Sequence, residues 1–284
     1  MNTLEGVTTP SAEDTQRRSG STAATRGHFK WLWDIVFNVV RFIARHVDNA
    51  RTVFGIFLLS GAVVALAFTW GFAELAGRVR GGGTQRFDDA IMHWIGAHQN
   101  PHVQAIMLEV TALGTGTVVG VLVLVAGMFL WLNSHKHSAI LLVVATLGGI
   151  VLNNLLKLGF SRPRPQIFEW GTHASSSSFP SGHAMSAVVV YGTVAYLAAR
   201  LQQRPATRVM TLLLAGIFIV AICGSRMYLG VHYPSDILAG VMIGLAWAGF
   251  CMAVLEAAQL YAKRNAPEML AEERPAPRGA SPST

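Results

Sequence analysis

Residues 225–260 read SRMYLGVHYPSDILAGVMIGLAWAGFCMAVLEAAQL. From Ser235 to Leu260 the run is apolar around the whole helix and long enough to cross a bilayer, which takes about 20 residues. Just ahead of it, and at its first turn, stand Ser225, Arg226, His232, Tyr233-Pro234-Ser235 and Asp236. Charged side chains are costly near hydrocarbon, so a group of them at the mouth of a membrane helix is read as functional by default.

The rest of the chain repeats this pattern of long apolar runs. Segments of spanning length occur at Val53 to Leu75, Thr111 to Leu132, Ser138 to Leu156, His183 to Leu201 and Val209 to Gly224. With Ser235 to Leu260 they predict an all-α, polytopic membrane protein of six transmembrane helices. The composition agrees, at 52% apolar and 13% charged over 284 residues, whereas a soluble fold of this size would show amphipathic helices. Val209 to Gly224 is the shortest run and would need slight local thinning of the bilayer. No cleavable signal is evident, so the first span is expected to stay as an anchor. Cys223 and Cys251 lie inside apolar spans and read as small core residues, not as a disulfide or a metal pair.

Six spans put both termini on one side, where fifteen of the Lys and Arg residues fall against seven on the other. The positive-inside rule then makes the termini cytoplasmic and turns the charged clusters outward, toward the periplasm of a bacterial inner membrane. The net charge of +7 is scattered along loops and tails. It forms no stripe for nucleic acid, so the expected partners are the bilayer and its lipids. Residues 1–27 read as a disordered cytoplasmic tail and 263–284 as a second, Pro-rich one. Residues 28–48 read as an amphipathic helix, with Lys30, Asp34, Asn38, Arg41 and Arg45 opposite Trp31, Ile35, Val39 and Phe42. It lies either in the interface or against the bundle. The six-span domain occupies 53–262. Between its first two spans, Phe87 to Val110 reads as an interfacial helix-loop-helix with Trp94 as an anchor. His93, His98 and His102 within it have spacings of five and four residues, a poor match to one helical face, and no metal or other cofactor is expected.

Two further clusters resemble the first in chemistry and position. Lys157 closes the third span, and Arg164 follows between Pro163 and Pro165, whose fixed backbone would hold two cations near one point. Taken alone, Lys157 could simply snorkel to the interface, and Arg162 reads as a supporting or headgroup contact. Pro180-Ser181-Gly182-His183 opens the fourth span. There the unpaired N–H groups of a helix start, the Ser181 hydroxyl and the bare Gly182 backbone suit a phosphate oxygen. The plainer alternative is an N-cap serine with an interfacial histidine. In the last cluster Asp236 can reach one ring nitrogen of His232 and leave the other free as a nucleophile, while Arg226 offers a fork of donors. A structural His–Asp pair is the alternative.

Taken together, the clusters spell Lys-x6-Arg-Pro, Pro-Ser-Gly-His and Ser-Arg-x5-His-x3-Asp without a substitution. The chain therefore resembles the type 2 phosphatidic acid phosphatase family from about Phe87 to Leu260. The resemblance implies a six-helix membrane bundle with the helical core shared by soluble acid phosphatases and vanadium haloperoxidases. It further implies His232 as nucleophile, Asp236 as its orienting partner and His183 as general acid. Lys157, Arg164, Ser181, the Gly182 N–H and Arg226 would bind phosphate oxygens. The expected activity is metal-independent hydrolysis of a lipid phosphate, such as phosphatidic acid, phosphatidylglycerophosphate, diacylglycerol pyrophosphate or undecaprenyl pyrophosphate. A lipid phosphotransferase using the same phosphohistidine, a disabled binding or transport protein and a haloperoxidase are the other readings. The sequence leaves the oligomeric state open.

Overall fold

The computed structural model describes residues 50–173 and 176–265. The expected tail at 1–27 and the amphipathic helix at 28–48 lie outside the described residues, as does the C-terminal tail beyond 265. Among the described residues there are eight helices and no strand: α1 (Ala50–Arg80), α2 (Gln85–Ala97), α3 (Pro101–Ala112), α4 (Gly116–Leu132), α5 (Lys136–Gly159), α6 (Gly182–Leu201), α7 (Pro205–Tyr228) and α8 (Pro234–Asn265). The all-α expectation holds. The last helix runs on through 263–265, the first three residues of the expected C-terminal tail.

Among the described residues five helices are long and apolar enough to cross a membrane, α1 through its Gly61–Arg80 part, and a sixth span forms if α3 and α4 are taken together across a 45° bend. The continuous span expected from Thr111 to Leu132 is thus broken. The cause is local: the amides of Leu113, Gly114 and Thr115 bond back to Val110, Thr111 and Ala112, a tight turn that ends α3. The Thr115 hydroxyl donates to the same Ala112 carbonyl at 2.7 Å. The Val209 to Gly224 run is also corrected, because α7 covers 24 residues and needs no thinning. Its polar ends were simply helical too, and Ser225 and Arg226 lie within its last turn.

Lipid tails are as apolar as leucine, so the bundle is held less by hydrophobic exclusion than by close packing. Helix α6 is the central one, buried along its length from Ala184 to Ala199, and α5, α7 and α8 pack around it. Leu142, Ala145, Met185, Val189, Val190 and Ala239 form the middle of this core. By contrast, α4 shows Leu124, Val125, Met128 and Trp131 outward, as a lipid-facing helix should. Small residues set the closest approaches. A Cβ on Gly240 of α8 would stand 2.6 Å from the Ser181 carbonyl and 3.1 Å from Ala184 Cβ, so α8 lies directly on the first turn of α6. At the other end of α6, Arg200 donates to Gln259 at 2.6 Å and pairs with Glu256 at 3.4 Å, while the Tyr196 hydroxyl donates to Glu256.

The Gly240 contact is with backbone and cannot be relieved by a rotamer. Gly240→Ala is expected to lower stability by about 1–3 kcal/mol, read as a drop in Tm in detergent. Gly249→Ala, which meets nothing within 4 Å, should leave Tm unchanged. A wild-type Tm for Gly240→Ala would contradict the close crossing.

Candidate active site

The segment joining α5 to α6 folds back on itself to reach the start of α8. Ser178 is fully buried. Its amide donates to the Arg162 carbonyl at 3.1 Å, and its hydroxyl donates to the Pro163 carbonyl at 3.0 Å. Phe179 is also buried and packs its ring on Phe160 and Phe72, at centroid distances of 4.8 and 5.8 Å. Ser181 then caps α6, accepting from the Ala184 amide at 3.4 Å, while its own amide donates to the Asp236 carbonyl at 3.0 Å. The second and third clusters are thereby joined through main chain.

The first cluster joins through its cations. Arg164 donates to the Val231 carbonyl at 2.7 Å and through Nε to the Ser176 carbonyl at 2.9 Å. Lys157 donates to the Ser176 hydroxyl at 2.9 Å, so the two cations converge on one serine. The same Arg164 Nη1 stands 3.3 Å from His232 Nε2. A guanidinium only donates, so Nε2 is the accepting nitrogen and the ring proton sits on Nδ1. Burial, helped by the charges of Arg164 and Arg226 and opposed by Asp236, lowers the His232 pKa to about 4. His232 is therefore a neutral imidazole at neutral pH, with its lone pair turned toward the cations.

Arg226 is buried and donates to the Thr111 hydroxyl at 2.8 Å, while its buried Nε has no partner among the described residues. A desolvated guanidinium N–H left unmade is costly unless something else supplies the acceptor. Ser225 beside it is structural, its hydroxyl donating back to the Ile222 carbonyl at 2.7 Å. His183 lies within electrostatic reach of Arg226, His232, Lys157 and Arg164. Its ring lies against the break between α3 and α4, where a Cβ on Gly114 would come within 2.9 Å of its Cδ2. At Gly182 a Cβ would stand 3.0 Å from Asn153 Nδ2, so the bare backbone expected from the motif is also a packing requirement. All eight residues singled out from the sequence therefore gather at one end of the bundle.

The geometry departs from expectation at Asp236. Its Oδ2 lies 3.6 Å from His232 Nδ1, longer than a formed hydrogen bond. Both of its oxygens have other donors: Arg162 on Oδ1 at 2.7 Å and the Tyr233 amide on Oδ2 at 2.8 Å. Of the two readings given for Arg162, the supporting contact is the one its partners fit, not the headgroup contact. It also donates to Ser235 at 2.7 Å, to Gln85 at 3.2 Å and to Asp88 at 2.8 Å, with its guanidinium 4.3 Å from the Tyr233 ring centroid. Burial, the largest influence on Arg162, disfavours its charge, but Asp236 and Asp88 together outweigh it and raise the pKa. Asp88, Gln85, Thr111, Ser176 and Ser235 are the residues sequence reasoning missed. The one available signal was Asp88 sharing a helical face with Met92, four residues on; both are completely buried.

A neutral histidine facing several desolvated cations suits one kind of partner, a tetrahedral oxyanion whose central atom the lone pair can attack. Set in a bundle of membrane-spanning helices, that defines the class: an integral-membrane phosphoric ester hydrolase. Comparison with known proteins gives the family. A family model described as the PAP2 superfamily matches residues 138–260. Phosphatidylglycerophosphatase B of Bacillus subtilis is 35% identical over 177 residues, spanning 61% of this chain and 86% of that protein. The undecaprenyl-diphosphatase of Sulfolobus acidocaldarius is 30% identical, over 46% of this chain and 62% of its own length. Among solved structures, a transmembrane PAP2 type phosphatidylglycerolphosphate phosphatase from Bacillus subtilis superposes with a TM-score of 0.65 at 29% identity, covering 68% of this chain and 96% of that one. The chain belongs to the PAP2 superfamily, and it is a multi-pass membrane lipid phosphatase.

The histidine assignment can be read directly. Nitrogen NMR of histidine-labelled protein should show His232 neutral at pH 7, protonated on Nδ1, and charging only as pH falls through about 4. A midpoint near the ordinary 6.5, or a proton on Nε2, would contradict the geometry.

Proposed function

We propose that this protein hydrolyses a lipid monophosphate headgroup, phosphatidylglycerophosphate foremost, at the outward face of the membrane, without a metal and through a phosphohistidine on His232. The observation that carries this reading is the His232 Nε2 lone pair lying 3.3 Å from Arg164 Nη1, with Lys157 and Arg226 close by. Three cations can balance the equatorial oxygens, which is the task a metal performs in many phosphoryl-transfer sites. The substrate is favoured by the relative matched over 86% of its own length and the solved structure matched over 96% of its own. A headgroup phosphate naturally lies at the membrane boundary while its tails stay in lipid. The outward orientation is supported by the fifteen-to-seven distribution of Lys and Arg.

In the first step Nε2 attacks phosphorus and forms the P–N bond as the bond to the leaving oxygen breaks. That oxygen keeps the electron pair and takes a proton from His183, which enters the step as the imidazolium favoured by the bound phosphate's negative charge and leaves it neutral. The His232 ring keeps its Nδ1 proton and becomes cationic, facing the Asp236 carboxylate. In the second step a water attacks phosphorus from the vacated side and gives its proton to His183, and the P–N bond breaks to release phosphate. In this reading the Ser181 hydroxyl and the Gly182 N–H, at the positive end of α6, hold the oxygens.

The test is phosphate release by the purified full chain in excess chelator, from phosphatidylglycerophosphate, phosphatidic acid, undecaprenyl diphosphate and water-soluble esters. Phosphatidylglycerophosphate should give the highest kcat/KM. His232→Ala should lose about four orders of magnitude, and Arg226→Ala about two to three. An acid-labile, base-stable label should appear on His232 after quenching. Loss of turnover in chelator with recovery on added divalent cation would overturn the metal-free reading. Preference for undecaprenyl diphosphate would replace the substrate.

A further inference from the structure

Asp88 stands outside all three motifs and outside the stretch matched by the family model, on a short helix whose other charged residues face water or neighbouring polar groups. It is nonetheless completely buried, and both its oxygens are engaged. Oδ1 accepts from the Ser235 amide at 3.0 Å, and Oδ2 accepts from the Ser235 hydroxyl at 2.6 Å and from Arg162 Nη2 at 2.8 Å. The other arm of the same guanidinium, Nη1, holds Asp236 at 2.7 Å. One guanidinium therefore serves two carboxylates, and the group behind His232 keeps an uncompensated negative charge. An isolated Arg162–Asp236 pair would be neutral, and Asp236 would have little left to offer the histidine.

We infer that Asp88 is a positioning residue for phosphoryl transfer: by sharing Arg162 with Asp236 it fixes the carboxylate behind His232 and keeps the net charge there negative, favouring the imidazolium that forms on attack. The inference rests on the phosphohistidine reading above. The site is then polarised across the ring, with cations on the Nε2 side to receive phosphate and anionic excess on the Nδ1 side to receive the charge that develops. A formal charge produced in a buried place is worth most when its counter-charge is already oriented there. The 3.6 Å gap between Nδ1 and Oδ2 leaves room for that contact to close as the ring becomes cationic. It is an interaction made more strongly in the transition state than in the ground state, so it should appear in kcat.

The experiment compares Asp88→Asn, Asp236→Asn and the double variant as full chains in detergent. Turnover is measured on phosphatidylglycerophosphate, with orthovanadate inhibition reporting the phosphate-binding cations. Asp88→Asn is expected to lower kcat about 10- to 100-fold while KM and vanadate inhibition stay within about twofold. In the Asp236→Asn background the same change should cost less than about threefold, because both act on one group. An unchanged kcat, losses that multiply in the double variant, or KM and vanadate inhibition worsening together with kcat would each overturn the inference. Should Asp88→Asn not fold, Arg162→Lys, which keeps the charge and loses the fork, is expected to show the same selective loss of kcat, and wild-type turnover there would overturn it. Absence of turnover in the wild type, or its survival in His232→Ala, would instead remove the phosphohistidine reading beneath it.

Discussion

A single guanidinium shared by two buried carboxylates ties together the pieces that make this site. Arg162 comes from the loop after α5, Asp88 from α2, and Asp236 with Ser235 from the first turn of α8. The Asp236 carbonyl in turn receives the Ser181 amide at the start of α6. Four segments far apart in sequence thus meet within a few ångströms, and none could move without exposing a buried charge. Breaking such a pair typically costs several kcal/mol, although forming it gains little over a well-packed apolar alternative. The network is better understood as fixing geometry than as adding stability.

That fixity matters because phosphoryl transfer asks for placement more than for strong chemistry. The prolines around Arg164, the buried Ser178 turn and the Ser181 cap hold the donors of the proposed phosphate site in place. The bundle beneath supplies the rigid floor. Its helices approach closely at Gly240 and Gly182, where a larger residue would press on Ser181 or Asn153. Fold and proposed chemistry meet at Gly182: the bareness proposed to admit a phosphate oxygen also lets Asn153 pack close to the main chain.

Much of this was visible in the sequence because it is local. Apolar runs mark spans whatever their neighbours, and the fixed short spacings within the clusters from Lys157 to Asp236 are what carry the resemblance to the family. The break at Leu113–Thr115 was missed because hydropathy sees no difference between a continuous helix and two joined by a tight turn of apolar and small residues. Asp88 was missed because its partner is 74 residues away, and an acid in the first turn of an amphipathic helix looks the same whether it meets water or a guanidinium. Arg162 suffered the reverse fault. Its spacing was noticed, but sequence could not tell which way the side chain turned, toward a headgroup or toward the acids behind His232.

Helix α7 carries one more implication. Its fully buried residues, Ile222, Cys223, Ser225 and Arg226, all lie near its catalytic end, while Val209, Met210, Leu213, Ile217 and Val220 face lipid. The helix is gripped at one end and solvated by hydrocarbon along the rest. Bilayers differ in thickness by several ångströms, and a helix adjusts by tilting at small cost. Here the tilt would be taken up at the far end, so the guanidinium at the gripped end keeps its place as the host membrane thickens or thins, and the lipid-facing positions can exchange one apolar residue for another without consequence for chemistry.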